Sequence, residues 1–185
     1  MAAMEDMMPL MARATEQTAG VVRAVRQEQL GSPTPCAKFD VKDLISHLEW
    51  VAEMFESIAR GGPRTEQGPY AGDFPERAER TLAAWSRPEA WEGTSEGMGL
   101  PMTVMARMYL VDMVVHGWDL ARATGQEYEP DPEAVLEAVN FTNQMVETGR
   151  QRGAFGPPVA VPDDAPQFDR LLGVIGRDPA WTPLG

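Results

Sequence analysis

PMTVMARMYLVDMVVHGWDLARATG, Pro101 to Gly125, is the longest apolar-rich stretch of the chain. Its apolar residues recur on every helical turn and do not alternate, which predicts a helix from Met102 to about Thr124, opened after Pro101 and closed by Gly125. Inside this apolar background stand an acid, a histidine and a second acid. Residues four apart on a helix differ in direction by about 40°, and residues seven apart by about 20°. Asp112, His116 and Asp119 therefore share one face, with Met105, Met108, Tyr109 and Ala123 beside them.

The same rhythm extends outward from this helix. Downstream, Asp131 and Pro132 open a further helix that runs to about Arg150, with proline at its first position. A proline-rich tail from Gly153 to Gly185 follows, with one short helix over Asp169 to Ile175, and is expected to wrap the body. Upstream, Glu76 to Ser86 reads as a short helix stopped by Pro88, and Trp91 to Leu100 as an extended crossover. Residues 61 to 75 form an aperiodic loop rich in Gly, Pro and Gln. Before it, Asp40 and Asp43 make a capping box at the start of a helix whose stripe is Leu44, Leu48, Val51, Phe55 and Ile58. A first helix spans about Pro9 to Leu30 and closes at Gly31. No repeat and no strand pattern is present, so the chain reads as an all-α bundle with an added C-terminal helix.

Its 185 residues form one domain, 1–185, by size and by ordinary apolar and charged content. A net charge of -12 leaves no basic stripe for nucleic acid or anionic membranes. No apolar run reaches the roughly 20 residues a membrane span needs. The start is acidic at Glu5 and Asp6 and lacks the apolar centre of a secretion signal. The single cysteine, Cys36, excludes an intramolecular disulfide and a multi-cysteine zinc site, in keeping with a cytoplasmic protein.

The chain has only two histidines. His47 lies on the apolar stripe of its helix and so faces the interior, with Asp43, Trp50, Val51 and Met54 on its side. An acid and a histidine one turn apart, as Asp112 and His116 are, can both reach one divalent cation. Adding His47 would give two imidazoles and a carboxylate with coordination positions left open, as in a catalytic site. Zinc suits those donors first, and nickel or iron also fit. The same spacing equally describes a helix-surface pair worth about 0.2 to 0.5 kcal/mol beside a satisfied core histidine. Asp43 reads better as a cap than as a fourth ligand. Asp119 could orient His116 from behind, act as a base, or pair with Arg122. The methionines at 102, 105, 108 and 113 read as core, and Cys36 as a packed thiol.

TPC at 34–36, DVKDLISHL at 40–48, VDMVVHGWDLARATGQ at 111–126, FGPPVAVPDDAP at 155–166 and DRLLGVIGRDPAW at 169–181 occur together and in this order. The combination resembles an actinobacterial family of DinB-like metal-binding proteins, related to the N-terminal domain of mycothiol-dependent maleylpyruvate isomerase. It runs from about residue 10 to residue 181. The resemblance implies an antiparallel four-helix bundle holding a divalent metal through His47, Asp112 and His116. The isomerase has Glu where this chain has Asp112, and Phe39 stands where many relatives have Trp. The isomerase's second domain has no counterpart in these residues, so maleylpyruvate is not the expected substrate. The resemblance implies a mycothiol-type thiol as cofactor and a transferase or isomerase acting on a small electrophile, with Tyr109 and Asp119 as candidates for substrate contact or proton handling. Non-catalytic binding of a metal or small ligand, and metal-dependent hydrolysis at the same site, are the alternatives. Homodimers are common among such bundles.

Overall fold

Six α-helices and two short 3₁₀ turns, with no strand among the described residues, make up the computed structural model, which describes residues 2–183. Helix α1 (Ala2–Arg23) runs through Pro9 instead of opening there. Its stripe of Met7, Met11, Ala14, Thr18 and Val21 is buried on both sides of the proline, whereas Pro9 itself is exposed. The missing amide thus falls on the solvent side, where it costs least. The helix also stops short of Leu30: Ala24 and Arg26 are exposed, and a 3₁₀ turn over Gln27–Gln29 takes over. Gln29 ties that turn to the end of α4, its Nε2 donating to Thr124 O at 3.0 Å.

Helix α2 (Val41–Ala59) begins at the capping box the sequence predicts, with Asp43 N donating to Asp40 Oδ1 at 2.8 Å. Helix α3 (Phe74–Trp85) follows, then α4 (Met102–Thr124), which ends on Gly125 at φ 71°. Only glycine adopts that left-handed turn at no steric cost. Helix α5 (Pro132–Gln151) is capped by Asp131, which accepts from Ala134 N at 2.9 Å, and α6 (Gln167–Val174) completes the set. Between α3 and α4 the expected crossover is a 3₁₀ turn at Pro88–Trp91 and a loop closed by an isolated bridge between Thr94 and Pro101.

Helix α1 packs on α4 and α3, and α2 packs on α3 and α4, so these four enclose the main core in a ring. Direction follows from which residues meet. Thr15 meets Tyr109 and Thr18 meets Met113, so α1 and α4 run the same way. Glu53 meets Arg77 and Glu56 meets Arg80, so α2 and α3 do also. Across the ring the order reverses, with Phe55 against Tyr109 and His47 against His116. Two parallel pairs therefore oppose one another. On the outer side, α5 packs on α4 and α6 on α5, around a second cluster of Val111, Val115, Ala138, Phe141, Leu171 and Ile175.

Parallel neighbours α2 and α3 need a return strap, which explains the long aperiodic loop. Residues 60–73 run back along α2: Ser57 donates to Pro63 O, Trp50 to Thr65 O and Ser46 to Gly68 O. The strap ends on buried Glu49, whose carboxylate accepts from the backbone amides of Ala71, Gly72 and Asp73 at 2.8, 2.5 and 3.0 Å. A negative charge there also suits the positive end of α3, which starts at the next residue. Among the described residues no helix is long and apolar enough to cross a membrane.

Candidate metal centre

The reversal of α2 against α4 brings the two histidines to one level of the bundle. Their ring centroids lie 5.0 Å apart and nearly perpendicular, at 84°. One ligand atom from each of His47, Asp112 and His116 lies within 4.8 Å of the other two. His116 Nε2 is 3.7 Å from Asp112 Oδ1 on the preceding turn. Because α4 is buried nearly all round, this face points into protein and not to the surface. His116 is 8% exposed, yet the Asp112 side chain keeps 31% of its surface, so the group has an approach from outside.

Behind the three donors stands a second layer. His116 Nδ1 lies 3.0 Å from Oδ2 of Asp119, which has no exposed surface. Arg177, from the segment after α6, donates to the same carboxylate through Nε at 3.3 Å and Nη2 at 3.0 Å. Burial alone would raise the Asp119 pKa, but the His116 hydrogen bond and the Arg177 charge outweigh it and hold the acid below its ordinary value. An ionised carboxylate only accepts, so Nδ1 of His116 carries the proton on that side and Nε2 is the nitrogen that faces Asp112.

The other two donors are held differently. Burial, then the charges of His116 and Arg177, depress the His47 pKa to about 3, so its imidazole stays neutral at physiological pH. Burial raises Asp112 to about 6, against the opposing pull of His116 and Arg177. Phe39 stacks on His47 at 5.2 Å and Trp50 tilts against it at 5.6 Å. A neutral imidazole, a second imidazole oriented by a carboxylate, and an acid left short of positive charge fit a divalent cation. Zinc, nickel and iron all accept such nitrogen and oxygen donors.

The remaining sequence candidates fall around this group. Asp119 acts through His116 and Arg177 and does not pair with Arg122, whose guanidinium donates to Pro179 O. Tyr109 is buried in the core, its ring against Phe55 and its hydroxyl 3.0 Å from Thr15 Oγ1. Asp43 is a cap, as expected. Cys36 is partly buried, and burial raises its thiol pKa, as befits a packed side chain. Sequence reasoning does not reach Arg177, which sits in a segment without periodicity; the signal it carries is an arginine inside the stretch DRLLGVIGRDPAW.

Residues 11–81 match the family described as the mycothiol maleylpyruvate isomerase N-terminal domain. That span carries His47 and stops before α4. Two uncharacterized proteins of Mycobacterium tuberculosis, MT0763 of strain CDC 1551 / Oshkosh and Rv0738 of strain ATCC 25618 / H37Rv, are each 33% identical over 182 residues. Each alignment covers 91% of this chain and 97% of the relative, so it extends beyond residues 11–81 and takes in α4. No solved structure gives a significant match.

Proposed function

This chain belongs to the mycothiol maleylpyruvate isomerase N-terminal domain family, and from that premise we propose that it binds a divalent metal ion through His47, Asp112 and His116. We assign the centre, with zinc as the first choice, to the use of a mycothiol-type thiol in transfer to, or isomerisation of, a small electrophile. The observation that carries the reading is the convergence of three donors from two helices to within 4.8 Å, with a buried carboxylate behind one of them.

When bound, a divalent cation supplies a Lewis acid that lowers the pKa of a coordinated thiol and makes thiolate available at neutral pH. The chain's own residues prepare for this. Asp119 keeps a proton on Nδ1 of His116 and so directs Nε2 toward the ion. Phe39 and Trp50 cover the His47 ring and restrict water around it. Asp112, whose side chain keeps 31% of its surface against 10% for His116, marks the side from which thiol and electrophile approach.

The test has two arms. Elemental analysis of protein purified without a metal-affinity tag is expected to find one divalent ion per chain, lost in His116→Ala. Unchanged metal content in that variant sinks the assignment. Incubation of metal-loaded protein with mycothiol and chlorodinitrobenzene is expected to consume the electrophile only when both thiol and metal are present. Consumption without thiol would replace the reading with hydrolysis, and full metal occupancy with no turnover would replace it with a binding protein.

A further inference from the structure

We propose that Arg177 is a positioning residue of the metal centre, so that metal binding and the docking of the C-terminal segment onto α4 reinforce one another. The inference rests on the metal-binding reading above. Among the described residues the Asp119 carboxylate has two hydrogen-bonding partners, His116 and Arg177. The terminal torsion of an aspartate is broad and roughly two-fold, so it is not fixed by the backbone. The Arg177 fork sets it, engaging Oδ1 through Nε and Oδ2 through Nη2, and Oδ2 is the oxygen that faces His116. The plane of the imidazole, and hence the direction of Nε2 toward Asp112 and the edge of His47, follows from that choice.

The guanidinium is in turn aimed by its own backbone. Arg177 N donates to Leu172 O at 2.8 Å, and Arg122 Nη2 reaches from α4 to Pro179 O at 2.7 Å. Gly176, at φ 91°, turns the chain between these points. The pair of Arg177 and Asp119 is buried on both sides, at 8% and 0% exposure. Buried ion pairs are weak sources of net stability, because desolvation offsets their attraction. What this one supplies is a fixed direction at a residue that needs one. A lysine would keep the charge but not the planar fork.

The experiment measures affinity for zinc ions by competition with a chromophoric chelator, for wild type, Arg177→Met and Arg177→Lys, with nitrogen-15 spectra of the His116 ring. Arg177→Met is expected to weaken zinc binding about tenfold, the lower range for groups behind a ligand, and to replace one imidazole tautomer by a mixture. Arg177→Lys is expected to lie between it and wild type. In the wild type, coupling is reciprocal, so zinc should slow amide exchange at residues 176–179. Wild-type affinity in both variants with a single His116 tautomer overturns the proposal, as does exchange that zinc leaves unchanged. If the methionine variant does not fold, the lysine variant decides by the same criterion. Failure of the wild type to bind zinc at all would refute the metal centre itself and is thereby distinguished.

Discussion

Replacing Asp112 by asparagine should reverse its effect on stability according to whether metal is present. Burial pushes the Asp112 carboxyl from 3.8 up to about 6, so the metal-free protein carries an anion its surroundings disfavour. That rise corresponds to about 3 kcal/mol at most, and contact of the side chain with solvent trims it to about 1 to 3 kcal/mol. Asparagine removes the charge at nearly constant volume. In chelator, near neutral pH, Asp112→Asn should therefore melt higher than wild type, by on the order of 5 °C for a chain of this size. Because the native-state pKa is raised, the wild-type penalty is complete above about pH 6 and gone below about pH 4, and the gain should vanish over that window. With zinc at about a hundred times its dissociation constant, the wild type gains about 3 kcal/mol while the variant, lacking the anionic donor, gains far less, and the order inverts. Scanning calorimetry with and without zinc, across pH, measures each part. A variant that is less stable than wild type in chelator, or one that zinc stabilises equally, refutes the reasoning.

Gly117→Ala should destabilise the fold by up to about 2 kcal/mol in urea denaturation: a Cβ there would lie 2.5 Å from Thr18 Oγ1 and 2.7 Å from the Tyr128 hydroxyl, and overpacking of about 1 to 3 kcal/mol is offset by a helix-propensity gain of about 1. Glu49→Gln leaves three strap amides facing a neutral side chain; a loss of about 2 kcal/mol and faster proteolysis within residues 60–73 are expected, and an unchanged melting temperature would count against the anchoring role. Gly176→Ala would bring a Cβ to 2.8 Å from Gly156 Cα at a left-handed backbone position, so a thermal melt should fall by the equivalent of about 2 kcal/mol.

Much of this architecture was legible before any coordinates, wherever a local signal had a local cause. The Asp40–Asp43 box, the Gly125 terminus and the Asp131–Pro132 start each satisfy backbone groups within a few residues, and each sits where the sequence placed it. Pro9 misled, because a proline on an exposed turn can be carried inside a helix whose opposite face is well packed. Periodicity put His47 on an apolar stripe and Asp112 with His116 on one face, but it could not tell that α2 opposes α4 at the level where the rings meet. That depends on the return strap, whose course along α2 is written in scattered hydrogen bonds and not in a pattern. Arg177 was out of reach for the same reason: its partner lies 58 positions away and no periodic feature links the two.

The same-direction pairing of α1 with α4 bears on how the chain is made. Thr18 of the first helix bonds Met113, 95 positions later. At about 5 to 20 residues per second of synthesis, the methionine-lined face of α1 waits on the order of 5 to 20 seconds at the ribosome before its cover exists. During that interval it is a sticky, half-finished surface, and early engagement by a chaperone is the natural way to keep neighbouring nascent chains from adhering to it.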